Sequence, residues 1–284
     1  MLRSSCALLA GLLAASAVNA LHAAPPLLPP APPADIETLA AATAADEATA
    51  KRQLQEAGVP AAKRTEAAAF LAKAKNAKPY AVLLDAVEEC AGACGASRDL
   101  ADLLVAAAPG AADDAAFLTR LAADAAAETT RPAAVRMAAY RALAALPKEK
   151  RPEAAREFAV RTVTLKAIVG AMKYDPAEFE AKPGEALEIV LENPDTMQHN
   201  FLLVAPGKLS EVGVAGEKMG ATAEGKAKQF VPDLPSVLEV MGLVDPGKTG
   251  HAYFFVPQKP GTYPYVCTYP GHWRMMNGKM RVKP

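Results

Sequence analysis

Apolar and polar positions alternate with a period of two in the last part of the chain. Val163, Leu165, Ala167 and Val169 interleave with Thr164, Lys166 and Ile168, and Leu187, Ile189 and Leu191 interleave with Glu188, Val190 and Glu192. Period two predicts strands with one buried face. His251 to Val256 and Thr262 to Cys267 read as two more strands, joined by Gln258-Lys259-Pro260-Gly261, and Met280 to Lys283 as a short last one. Pro-Gly pairs at 183–184, 206–207, 246–247, 260–261 and 270–271 mark turns. Residues 208–245 read as a mixed, partly helical insertion. The pattern over 159–284 predicts a small antiparallel Greek-key β-sandwich.

Upstream the period changes. Over 35–158 the chain is alanine-rich with helical spacing: Val135, Ala139, Leu143 and Leu146 form one stripe ended by Pro147, and Phe117, Leu118 and Leu121 form another. Breaks at Gly58-Val59-Pro60, Lys78-Pro79, Gly95 and Pro109-Gly110 divide the region into helices of roughly 10–20 residues. Segments 113–128 and 132–146 predict a helical hairpin. Its second half, "PAAVRMAAYRALAAL", resembles the second helix of a HEAT-type repeat. A helical bundle and a short HEAT-like solenoid both remain open for this domain.

The first twenty residues have the grammar of an export signal: Arg3, an apolar run from Ala7 to Val18, and Val18-Asn19-Ala20 as a small-x-small cleavage site. Residues 21–34, "LHAAPPLLPPAPPA", read as a semi-rigid spacer. The mature protein is therefore expected to be periplasmic or otherwise exported, with no membrane span. Formal net charge is zero, from 31 basic and 31 acidic residues, which gives no footprint for nucleic acid or an anionic membrane.

Export changes the meaning of the cysteines. Cys6 falls in the signal, leaving Cys90, Cys94 and Cys267 in an oxidising compartment. Cys90 and Cys94 are close enough for a local disulfide, with Gly92 and Gly95 loosening the helix there. Residues 95–99 carry no histidine, which argues against a dinuclear copper loop at this pair. Cys267 is left over, so it is buried, joined to another chain, or protected by a metal.

Cys267 opens the stretch "CTYPGHWRMM", with His272 five residues on and Met276 four further. A loop turned by Pro270-Gly271 can bring thiolate, imidazole and thioether to one point. Met275 is the rival to Met276. His199, in "DTMQHNFLLV", is the best remaining donor. Two histidines, one cysteine and a weak axial methionine form the blue-copper electron-transfer set. His251 reads as an ordinary strand histidine, and with no further histidine cluster a catalytic copper site is weakly supported. The Cys-x-x-Cys-His haem attachment motif is absent.

"MQHNFLLV" and "YPYVCTYPGHWRMMNGKMRV" resemble the two ligand segments of the azurin- and auracyanin-like cupredoxins, over about residues 160–284. The resemblance implies a Greek-key sandwich with one type 1 copper on His199, Cys267 and His272, Met276 being axial. Azurins place a glycine carbonyl near the metal just before the first histidine. Gln198 stands there in this chain, so a fifth contact and a four-ligand site both stay open. Asn200 matches the asparagine that ties the ligand loops together, a role Thr268 is expected to share. The implied function is single-electron transport between redox proteins such as a cytochrome c or a dehydrogenase, without enzyme turnover. Copper buffering or delivery, and an accessory subunit of a dehydrogenase complex docked through the helices, are the alternatives. Trp273, Tyr269 and Pro270 are expected to form a partner-docking patch, against the alternative that Trp273 packs on the insertion.

Overall fold

The computed structural model describes residues 35–91, 94–128, 130–220 and 222–284. The segments expected to be an export signal (1–20) and a spacer (21–34), with Cys6, His22 and Gly92, lie outside the described residues.

Seven α-helices occupy the first part of the described chain: α1 (Ile36–Ala41), α2 (Glu47–Gln55), α3 (Ala61–Ala74), α4 (Pro79–Cys90), α5 (Ser97–Ala107), α6 (Ala115–Ala126) and α7 (Ala133–Ala144). Their ends follow local chemistry. Asp46 and Asp114 accept the amides of Thr49 and Phe117 at the starts of α2 and α6, and Pro79 begins α4. The predicted hairpin is the α6–α7 pair. Consecutive helices from α1 to α5 pack on one another, and α7 packs on both α5 and α6, around one apolar core that includes Leu54, Leu71, Leu84, Leu100, Leu121 and Leu143. Buried Arg64 satisfies the open carbonyls at the end of α2, donating to Gln53, Leu54 and Glu56. Cys90 and Cys94 are disulfide-bonded, with Cα atoms 5.0 Å apart. The bridge spans the end of α4, where Ala91 turns into the left-handed region at φ 47°.

The remainder is a two-sheet sandwich. Its strands are β1 (Arg161–Ala167), β2 (Tyr174–Asp175), β3 (Glu178–Ala181), β4 (Ala186–Asn193), β5 (His199–Val204), β6 (Val237–Val244), β7 (Lys248–Phe255), β8 (Gly261–Val266) and β9 (Asn277–Val282). One sheet runs β2-β1-β4-β7 and the other β3-β9-β8-β5-β6. The expected all-antiparallel arrangement is corrected, because β1 pairs with β4, and β3 with β9, in parallel. After β2 the chain crosses to the other sheet to make β3, then returns as β4 in the direction of β1.

Val163, Leu165 and Ala167 are buried, as are Leu187, Ile189 and Leu191. The first alternation stops at Ala167; Ile168 and Val169 are 41% and 61% exposed in the loop to β2. The mixed, partly helical insertion expected over 208–245 forms helices α8 (Leu209–Met219) and α9 (Ala223–Ala227) and also contains the strand β6. The run "HNFLLV" is buried throughout because β5 is covered on both faces. Phe201 and Leu203 face the sandwich core, while Leu202 and Val204 meet Val212 of α8.

The helical part packs against β7 and β6, one edge strand of each sheet. Arg141 of α7 lies 3.5 Å from the Tyr253 ring centroid, Arg136 lies 4.7 Å from that of Phe255, and Tyr140 meets Phe255 edge-on. Arg98 donates to the Val240 carbonyl of β6 at 3.3 Å.

Candidate metal centre

Two neighbouring strands bring the candidate ligands together. His199 begins β5, and Cys267 directly follows β8, which pairs with β5 through Leu202 and Val266. The loop after Cys267 is closed by backbone bonds: His272 N–H to the Tyr269 carbonyl at 3.0 Å, Met276 N–H to that of His272 at 2.8 Å, and Cys267 N–H to that of Met276 at 3.0 Å. Gly271, at φ 84°, supplies the left-handed turn this requires.

The Cys267 Sγ stands 3.6 Å from His272 Nδ1 and 3.9 Å from His199 Nδ1. The three ligand atoms lie within 4.8 Å of one another, and all three residues are buried. Met276 is fully buried in the same core cluster as Cys267. Burial pushes the Cys267 thiol up to about 12, against the pull of the Asn200 and Tyr269 amides. Burial also takes the His272 imidazolium down to about 4, with His199 adding to the effect. For His199 the direction is again downward from burial, opposed by Asp195.

These residues fit a metal ion. Bonds of ~2.0–2.1 Å to imidazole and ~2.3 Å to thiolate, set roughly 110–120° apart, separate nitrogen and sulfur by about 3.5–3.8 Å. The distance to His272, 3.6 Å, falls within that spacing, and the one to His199, 3.9 Å, lies just beyond it. His272 Nδ1 is the ring nitrogen that faces Cys267 Sγ, while Nε2 is buried without a hydrogen-bond partner among the described residues. A soft sulfur with two imidazoles suits copper.

The flanking residues hold the ligand segments. Asn200 Oδ1 accepts the Thr268 amide at 2.7 Å, and its Nδ2 donates to Thr268 Oγ1 and the Gln229 carbonyl, each at 3.0 Å. The Gln198 side chain donates to Asp245 at 2.6 Å. His251 pairs with Glu188 at 2.9 Å and is not in the cluster. Trp273 and Tyr269 are half-buried under the insertion: Trp273 Nε1 donates to Glu217 at 3.1 Å, and Tyr269 meets the Phe230 ring edge-on. Pro270, also half-buried, lies against Gly220.

Sequence reasoning missed Asp195, whose Oδ2 stands 3.1 Å from His199 Nε2. The only signal was a carboxylate four residues before a candidate ligand. It also missed the glycines of α8, which let that helix lie directly on the ligand loop.

Residues 161–283 match the model of the copper binding proteins of the plastocyanin/azurin family. Auracyanin-A of Chloroflexus aurantiacus is 30% identical over 113 residues, 39% of this chain and 67% of the relative. Auracyanin-B of the same organism is 32% identical over 133 residues, 45% of this chain and 54% of the relative. A solved structure of auracyanin A, described as a "blue" copper protein, is 27% identical, with a TM-score of 0.40 over 44% of this chain and 100% of that one. The cofactor is a single type 1 copper. Through its C-terminal sandwich, the chain belongs to the plastocyanin/azurin family of copper binding proteins.

Proposed function

We propose that the protein is an exported carrier of single electrons between redox proteins, with copper held by His199, Cys267, His272 and Met276. The buried triad, with its three ligand atoms within 4.8 Å of one another, carries this reading. Copper bound there supplies a one-electron couple. Cys267 would bind the metal as a thiolate, its proton passing to solvent on binding, and the two imidazoles would present Nδ1. Met276, held by the Cys267–Met276 and Met276–His272 backbone bonds, would supply the weak thioether donor. Burial excludes water, and the Asn200–Thr268 bonds keep the donors in place in both oxidation states.

Partner docking belongs at the pole that carries the ligand loop. Met275 is 52% exposed beside the ligands, and Met197, two residues before His199, is 40% exposed. Exposed Ile168 and Val169 join them, since the adjacent Gly170 amide reaches Asp195 at 3.3 Å. Tyr269 and Pro270 border this face. The contact of Trp273 with Gly213 favours a packing role for that ring. No described helix is long and apolar enough to cross a membrane.

Stopped-flow exchange with a small c-type cytochrome tests this reading. The protein is expected to cycle without releasing copper, and Met275→Glu to slow exchange ~tenfold, the weight of one docking hot spot, with its visible spectrum unchanged. Copper released at each encounter would support delivery instead.

A further inference from the structure

Asp195 is buried, at 4% exposure, in the turn between β4 and β5. Its Oδ2 stands 3.1 Å from His199 Nε2. Its Oδ1 accepts the Thr196 amide at 2.7 Å and the Gly170 amide at 3.3 Å. Its own amide donates to Asn193 Oδ1 at 3.1 Å, and Asn193 Nδ2 donates to the carbonyls of Met197 and Val244, each at 2.8 Å. The carboxylate is thus fixed on one side by backbone donors and presents its free oxygen to the ring.

Two consequences follow from this geometry. A carboxylate accepts and does not donate, so the proton of a neutral His199 belongs on Nε2, leaving the Nδ1 lone pair for the ion. The carboxylate also puts a fixed negative charge behind one ligand in a water-poor site, where Coulomb interactions are weakly screened. His272 has no such partner: its Nε2 is unpaired among the described residues. Of the two imidazoles only His199 is hydrogen-bonded to the carboxylate, whose negative charge favours the more positive oxidation state of a metal bound there.

We propose that Asp195 is a positioning residue that fixes the His199 tautomer and holds the reduction potential of the bound copper down. This rests on the copper reading above for the potential, but not for the tautomer. The first measurement is therefore long-range 15N–1H correlation on the metal-free wild-type protein. The proton is expected on His199 Nε2, exchanging slowly with water; a proton on Nδ1 would overturn the proposal without touching the copper assignment.

The second measurement is the potential of the copper-loaded Asp195→Asn variant, which keeps an acceptor for Nε2–H but removes the charge. Reduced copper is expected to gain at least ~tenfold over oxidised, or about 59 mV per tenfold for one electron, with the thiolate band retained. Asp195→Ala is expected to lose the single tautomer as well. A purely structural role would lower unfolding stability in both variants and leave the potential of Asp195→Asn at the wild-type value, and that result would overturn the proposal.

Discussion

In the metal-free protein the candidate ligands favour their uncharged forms, because burial penalises an imidazolium at His272 and a thiolate at Cys267. This gives a signed pH dependence. His272 falls from its ordinary 6.5 to about 4 in the folded protein, so between those values the unfolded chain binds more protons. Through His272 the metal-free protein should keep this contribution above about pH 6.5 and lose up to ~3 kcal/mol of it as pH falls to about 4, at 1.36 kcal/mol per unit, with His199 acting in the same direction. Glu239, which burial raises to about 8, acts in the opposite direction over that range. Urea titrations of the metal-free Glu239→Gln variant therefore isolate the histidine contribution; a flat midpoint there would contradict it. At this scale the sequence was readable wherever residue type and spacing were both unusual. Cys267, His272 and Met276 stood out for that reason, and His199 followed as the missing donor. Asp195 did not stand out, because its role depends on a turn that aims one oxygen at a ring.

At the scale of elements, the ligand loop is held between the sandwich and α8. A Cβ on Gly213 would come within 2.3 Å of the Trp273 ring, and one on Gly216 within 2.8 Å of Thr268. Gly213→Val should therefore force the helix off the loop and destabilise the protein by ~1–3 kcal/mol, the usual effect of overpacking. Trp273 is the single tryptophan, so its emission reports the displacement directly. An unshifted emission maximum and an unchanged unfolding midpoint would show that α8 bears no such load. The period-two segments identified β1, β4, β7 and β8 closely, because one face of each meets the core. β6 was hidden: its burial pattern pairs Val240 with Met241 and breaks alternation, since its outer side also meets the helices. The parallel pairings were equally hidden, because periodicity fixes which face is buried but not which sheet the next strand joins.

Across the whole molecule, the helical part packs on the edge strands β6 and β7, which would otherwise present unpaired backbone groups. Tyr253 and Phe255 pair with Glu188 and Ala186, at the end of β4 opposite Asn193, whose side chain binds the Val244 carbonyl beside His199. The helices α1–α7 thus grip the sandwich away from the ligand pole. Arg141→Ala removes the guanidinium over Tyr253 and should weaken this docking by about 1–2 kcal/mol. Faster amide exchange in β7, with an unchanged copper spectrum, is the expected readout; equal exchange would mean that the cation–ring contact contributes nothing. The helical region was legible as helices from its apolar stripes and its Gly/Pro breaks. Its seat on the sandwich was not, because the arginines that make it look like any solvated face. The central claim is the copper site itself, and one experiment addresses it most directly: visible and EPR spectra of the intact protein loaded with Cu(II), beside Cys267→Ser. An intense blue thiolate-to-copper band with narrow hyperfine splitting, lost in the variant, is the predicted result. A colourless protein, or ordinary tetragonal copper features that survive in Cys267→Ser, would contradict the account.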